Sequence, residues 1–188
     1  QLQVLDVIET ICRKHDITYF ADWGTILGTV RHGGYVPWDD DMDICMKRED
    51  YTRFKEAAKT ELPKDFRIHD YEHQEDHWLF LSRVANSVHI NFEPEHMKQF
   101  HNFPYIAGID IFVLDYLYKD EQQEKQRCEE VKHIIAVADS IIAGEIAQPV
   151  KEANLIQLEQ KYHKNFNRKL DNRHMGIELY RLAEEIGR

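Results

Sequence analysis

The sequence predicts a mixed α/β fold, a β-sheet flanked by helices, followed by a mainly helical C-terminal part. Two observations carry this reading. Up to about residue 117, β-prone runs alternate with segments of helical period, whereas from Lys119 onward the chain is charged and helical in period throughout. A third observation bears on chemistry: Pro37-Trp38-Asp39-Asp40-Asp41-Met42-Asp43-Ile44-Cys45-Met46 places four carboxylates within five positions just before an apolar stretch. Such a cluster repels itself unless something cationic balances it.

The elements follow in order. Residues 2–15 place Leu2, Leu5, Ile8, Ile11 and Cys12 at helical spacing, an amphipathic packing helix. Ile17 to Phe20 is a short β-prone run. It leads through Asp22-Trp23-Gly24-Thr25 into a short helix ending at Gly33-Gly34, whose N-terminal N–H groups would face a phosphate-sized site. If the acidic run is a strand, Asp39, Asp41, Asp43 and Cys45 share one face while Met42, Ile44 and Met46 share the other, buried one. Glu49 to Glu61 reads as a second covering helix, stopped before Pro63. Phe66–His69, Trp78–Ala85 and Val88–Phe92 read as strands, the last two joined as a hairpin through Ala85-Asn86-Ser87, and Ile109–Leu114 as another. Asp110, between Ile109 and Ile111, points away from an apolar face and is the natural third member of the acidic cluster. Cys128, Val131, Ile134, Ile135, Ala138, Ile141 and Ile142 form one helical stripe, and Leu155, Leu158, Tyr162, Phe166 and Leu170 another. A core over residues 1–118 and a helical extension over 119–188 packed on it are expected, the latter incomplete at its C-terminus.

Composition narrows the function classes. The 188 residues are 43% hydrophobic, enough for a core, and their formal charge of −10 argues against sequence-independent nucleic-acid binding. No apolar run is long enough to span a membrane, and no export signal opens the chain. Cys12, Cys45 and Cys128 are odd in number and widely spaced, as expected of reduced core thiols in a cytoplasmic protein. Paired carboxylates on one strand face are hard oxygen ligands suited to Mg²⁺ or Mn²⁺, ions that also take phosphate oxygens. The residues alone leave a solvated acidic loop or a structural Ca²⁺ site open.

A Gly turn, an Asp-x-Asp on a strand and a third Asp on a later strand resemble the active site of the nucleotidyltransferase superfamily. Within it, Trp23-Gly-Thr-Ile-Leu-Gly-Thr-Val-Arg-His-Gly-Gly-Tyr-Val-Pro-Trp-Asp-Asp-Asp-Met-Asp-Ile44, with Gly108-Ile-Asp-Ile-Phe-Val-Leu-Asp115, closely resembles the LicD family of bacterial phosphocholine transferases related to fukutin-like proteins. The resemblance covers roughly residues 2–118. It implies a nucleotidyltransferase-like core and transfer of phosphocholine from CDP-choline to a hydroxyl of a cell-surface glycan or glycolipid, such as a teichoic acid or lipopolysaccharide precursor, with release of CMP at the cytoplasmic face of the membrane. CDP-ribitol or CDP-glycerol as donor, or a noncatalytic metal- or nucleotide-binding module, are the alternatives.

The roles implied are metal binding by Asp41 and Asp43, with Asp110 completing the shell or taking the hydroxyl proton, and Mg²⁺ or Mn²⁺ as cofactor. Gly24 would let the donor phosphates approach the backbone and Thr25 would bond a phosphate oxygen. Arg31 and His32 either bind phosphate or balance the carboxylates at a helix end, and Trp38 either orients the acidic run or stacks on a ligand. Arg83 and Asn86 are candidates for contacting the donor. Asp39 is expected in the second shell and Asp40 as a turn residue facing the other way. Tyr71, Trp78, Phe92, Phe103 and Tyr105 could include a cage for a quaternary ammonium. His69, His73 and His77 have the spacing of a helical zinc site, but the strand before them makes the segment a connecting loop.

Overall fold

A computed structural model describes residues 1–188. The chain divides into two compact units, residues 1–73 with 79–114 and residues 74–78 with 115–188.

The first unit is built on a five-stranded mixed sheet, β1 (Phe20–Ala21), β2 (Asp43–Lys47), β3 (Arg67–His69), β4 (Ser82–Ala85) and β5 (Gly108–Leu114), in the order β1-β2-β5-β4-β3. Only β2 and β5 run parallel; every other pair is antiparallel. One sheet face carries Ile44, Met46, Ile109, Ile111, Val84 and Ile68. It is covered by α1 (Leu2–Lys14) through Val4, Ile8 and Ile11 and by α3 (Arg48–Glu61) through Tyr51, Phe54 and Ala58. Phe54 is fully buried there; truncating such an aromatic to Ala typically costs about 3–5 kcal/mol. The mixed α/β sheet with flanking helices agrees with the sequence reading.

The opposite face carries Asp43, Cys45, Asp110 and Phe112, and α2 (Trp23–His32) flanks it, with the Trp23 ring 5.8 Å from that of Phe112. Asp22 caps α2 by accepting from the Trp23 N–H at 2.9 Å, and Gly33, at φ 71°, closes it in the left-handed conformation glycine favours. Gly28 lets the return loop cross the helix: a Cβ there would lie 2.4 Å from the Gly34 carbonyl oxygen and 2.8 Å from the Val36 nitrogen.

Three expectations are corrected. The acidic run is not a strand from Asp39, since β2 begins at Asp43, where pairing to Asp110 begins; side-chain alternation does not reach Asp39, Asp40 or Asp41. Residues 88–92 form no strand, because both edges of β4 are already taken by β3 and β5; Ser87 instead turns the chain by exchanging hydrogen bonds with His89. A short helix α4 (Pro94–Gln99), started by its proline, follows. Cys12 and Cys45 are buried, but Cys128 is exposed.

The second unit consists of α5 (Glu121–Ile142), α6 (Gln148–Tyr162) and α7 (Asn172–Gly187). Ile134, Val137, Ala138 and Ile141 of α5 and Leu155 and Leu158 of α6 are buried, as are Met175, Leu179 and Leu182 of α7. Arg181 holds residues 74–78 on α7 by donating to the Gln74 and Glu75 carbonyls at 3.1 and 3.2 Å. No helix is long and apolar enough to cross a membrane.

Gly28→Ala meets backbone rather than a movable side chain. It is expected to lower unfolding stability by about 1–3 kcal/mol in denaturant titrations, the usual cost of overpacking; unchanged stability would contradict the packing described.

Candidate functional site

Register builds the site. Asp43 lies opposite Asp110 in the parallel β2–β5 pair, Asp110 opposite Arg83 in the antiparallel β4–β5 pair, and Arg83 opposite His69 in β3–β4. Asp43, Asp110 and Arg83 therefore stand in one transverse row on the face away from the α1/α3 core. Asp43 and Asp110 are both buried. The Arg83 guanidinium grips Asp110 with both prongs, Nε to Oδ1 and Nη2 to Oδ2, the latter at 2.7 Å.

Asp41 projects from the loop just before β2 and is exposed. Asp39, Asp40 and Asp41 each bring a carboxylate oxygen within 4.8 Å of the others. Burial, then the charges of Asp41, Asp110, Asp39 and Asp22, push the Asp43 carboxyl up to about 6. Asp41 is raised as well, by burial, by a hydrogen bond with Asp39 and by the charges of Asp39, Asp40 and Asp110. Two carboxyls raised by burial and then by neighbouring carboxylates mark a face of concentrated negative potential. The side chains offered here are all oxygen donors, the ligand type a hard divalent ion takes, and the three whose oxygens lie close together are those of Asp39, Asp40 and Asp41. Cys45, on the same face, has its thiol pushed up to about 11 by burial and by Asp22, which rules it out as a ready nucleophile.

The turn into α2 sits beside this row. Thr25 Oγ accepts the Asp43 backbone N–H at 2.8 Å, tying the start of α2 to the start of β2. Gly24 makes room for a carboxylate: a Cβ there would lie 2.0 Å from Asp39 Oδ2. Asp39 thus rests against the first turn of α2, where the helix dipole favours an anion.

A cavity of about 940 Å³, within the range of small-ligand sites, opens on the same unit. Asp40, Asp41, Arg83 and Asn86 line it, as do Tyr35, His96, Phe100, Phe103 and Tyr105. Asp40 lies at the cavity with Asp41, so the expectation that it faces the other way fails with the strand alternation on which it rested. Phe103 and Tyr105 meet edge to face with centroids 5.5 Å apart. Asn86 braces the wall, its N–H and Oδ1 bonding the Ala107 carbonyl and N–H, each at 3.0 Å.

Several other predicted residues do not line this cavity. Arg31, His32 and Trp38 form an exposed group of their own, with the guanidinium 5.9 Å from the indole centroid and the imidazole edge-on to it at 6.1 Å. Of the candidate cage, Tyr71 packs on Phe80 and Trp78 on Tyr180, while Phe92 is exposed. The His69–His77 segment is not helical; His73 bonds Asp70 at 2.7 Å. Sequence reasoning missed Tyr35, His96 and Phe100; for His96 and Phe100 the one signal was the aromatic density before β5.

The LicD/FKTN/FKRP nucleotidyltransferase-domain model matches residues 16–137, more than half of the chain. The chain belongs to this family. It is 43% identical over 53 residues to the lipopolysaccharide cholinephosphotransferase LicD of Haemophilus influenzae, covering 28% of this chain and 20% of that protein. It is 39% identical over 54 residues, and 42% over 48, to uncharacterized proteins of Rickettsia typhi and Rickettsia prowazekii, covering 29% and 26% of this chain and 18% of each relative. The matches therefore span about a fifth of these relatives' lengths. No solved structure matches the chain.

The raised Asp43 carboxyl gives a signed pH dependence. Its folded-state value lies above the ordinary 3.8, so the stability its protonated form contributes is complete below pH about 4 and is lost as pH rises through about 6. In EDTA, the wild-type melting temperature is expected to fall over this window relative to Asp43→Asn, which should be the more stable of the two above pH about 6. Parallel curves for the two proteins would contradict the electrostatics assigned to Asp43.

Proposed function

We propose that this chain is the catalytic core of a divalent-metal-dependent phosphotransferase that moves phosphocholine from CDP-choline to a hydroxyl of a cell-surface glycan or glycolipid. The observation that carries the reading is the buried Asp43–Asp110 row, with Asp41 beside it lining a cavity that is also lined by aromatic rings. Membership of the LicD family and the cholinephosphotransferase name of the Haemophilus influenzae relative support it. An acceptor in lipopolysaccharide or teichoic acid synthesis, and action at the cytoplasmic face of the membrane, belong to the same reading.

The residues divide the work. Asp41, Asp43 and Asp110 would hold Mg²⁺ or Mn²⁺, which would neutralise the charge developing on the donor phosphates. Thr25 donates its O–H to a phosphate oxygen, while the space Gly24 leaves, expected for the donor phosphates, is taken by the Asp39 carboxylate. Tyr35, Phe100, Phe103 and Tyr105 offer ring faces to the trimethylammonium, and the nearby carboxylates of Asp40 and Asp41 add attraction. The acceptor oxygen forms a bond to the phosphorus bearing choline while the bond from that phosphorus to the bridging oxygen breaks. CMP departs with the bridging oxygen, and the hydroxyl proton passes to Asp110. Asn86 fixes the cavity wall.

CMP release from CDP-choline by the purified chain with Mg²⁺ tests this directly. Release is expected to vanish with EDTA and to fall by about 10²-fold or more in Asp41→Asn and in Asp110→Asn, the scale of losing a general base or a charge-stabilising group. Turnover of CDP-ribitol or CDP-glycerol in preference to CDP-choline would move the donor to a polyol. Saturable binding of CDP-choline with no CMP in single-turnover conditions would reduce the chain to a binding module.

A further inference from the structure

Arg83 is the cation set directly into the carboxylate row. Its guanidinium takes both oxygens of Asp110, and its charge is held on firmly by Asp110 first and by Asp41 and Asp43 after it. Burial leaves Asp110 dependent on such a partner, since an uncompensated carboxylate in that position is costly. The arm that delivers the guanidinium lies over Gly108, where a Cβ would come within 2.9 Å of Arg83 Cγ and 2.8 Å of Cδ. Glycine at that position leaves the space in which the stem rests. The other end of the side chain is not enclosed: Arg83 is about half exposed and lines the cavity together with Asp41.

Two demands meet on Asp110. A bidentate guanidinium engages both of its oxygens, whereas a divalent ion bound with Asp41 and Asp43 needs a lone pair on one of them. A guanidinium and a divalent ion pressed against the same carboxylate also repel each other strongly over a buried floor. We propose that Arg83 is an exchangeable counter-ion: it neutralises Asp110 until a divalent ion loads, is displaced by that ion, and turns into the cavity to bind the phosphates of a nucleoside-diphosphate-linked donor. The backbone of β4 need not move, because Arg83 has torsions beyond the part of its stem that lies over Gly108. Donor phosphates then replace Asp110 as the partner of the guanidinium, which couples metal loading to donor capture. The exchange rests on the metal-site reading above and deepens it.

A permanent structural ion pair and an exchangeable one differ in the sign of two effects. The test is equilibrium binding without turnover, using the whole chain: Mn²⁺ alone by electron paramagnetic resonance of the free ion, then CDP at saturating Mn²⁺ by calorimetry. In Arg83→Ala, Mn²⁺ is expected to bind about tenfold more tightly and CDP about tenfold more weakly, on the scale seen when groups supporting a metal ligand are altered. Arg83→Lys keeps the charge but loses the fork, and is expected to shift both affinities in the same directions by less. Mn²⁺ should also raise the melting temperature of Arg83→Ala by more than that of wild type, which keeps the test usable if this variant is less stable in EDTA. Mn²⁺ affinity that is unchanged or weaker in both Arg83 variants would overturn the exchange. Tighter Mn²⁺ binding in Arg83→Ala with wild-type affinity in Arg83→Lys would overturn it too, as a simple charge effect. Asp43→Asn separates this from failure of the underlying reading: if it binds Mn²⁺ as well as wild type, the metal site itself falls and the exchange falls with it. If Asp43→Asn loses Mn²⁺ while the Arg83 variants behave like wild type, the exchange alone is refuted.

Discussion

The parallel pairing of β2 with β5 is the constraint from which the site follows. It sets Asp43 beside Asp110 on one face while Ile44 and Ile111 meet on the other. A slip of one residue would turn both carboxylates into the apolar layer beneath α1 and α3. The hydrophobic pattern that fixes the register therefore also fixes the charge cluster, and the carboxylates have no independent freedom to relax apart. Burial first and mutual repulsion after it raise the Asp43 and Asp41 carboxyls and create the demand for a cation, met in this fold by Arg83 from the neighbouring antiparallel strand.

Around this row the remaining elements act as positioners. Thr25 fastens the head of α2 to the first residue of β2, so the helix that ends in the Gly33 turn and the strand that carries Asp43 move as one piece. Gly28 allows the loop carrying Asp39, Asp40 and Asp41 to fold back tightly over that helix. The cavity then lies at the end of β5 where Gly108 enters, with Asn86 bracing the start of that strand and aromatic rings beyond. Charged side chains and aromatic rings line that one cavity together.

Much of this was legible in the sequence. Helical periods gave α1, α3 and the helical second unit, and the Gly33-Gly34 stop placed the end of α2. Asp110 could be matched to Asp43 because each sits between apolar neighbours, a parity argument that works where a strand is real. It failed for Asp39 and Asp40, where four neighbouring carboxylates and Pro37 keep the chain out of the ladder until Asp43. The absent strand at 88–92 shows a second limit: local β propensity cannot report that both edges of β4 are occupied. Arg83 was legible only as a basic residue near a strand end. Its grip on Asp110 is a product of cross-strand register, which depends on residues 27 positions apart in the chain and has no local signal.

The measurement that most directly tests this account is anomalous diffraction at the manganese edge from crystals of the chain soaked in Mn²⁺. The account requires a peak about 2.0–2.2 Å from oxygens of Asp41, Asp43 and Asp110, the distance expected of a small, hard divalent ion. A peak held only by Asp39, Asp40 and Asp41, whose oxygens also lie close together, would contradict it by leaving the Asp43–Asp110 row without its assigned role.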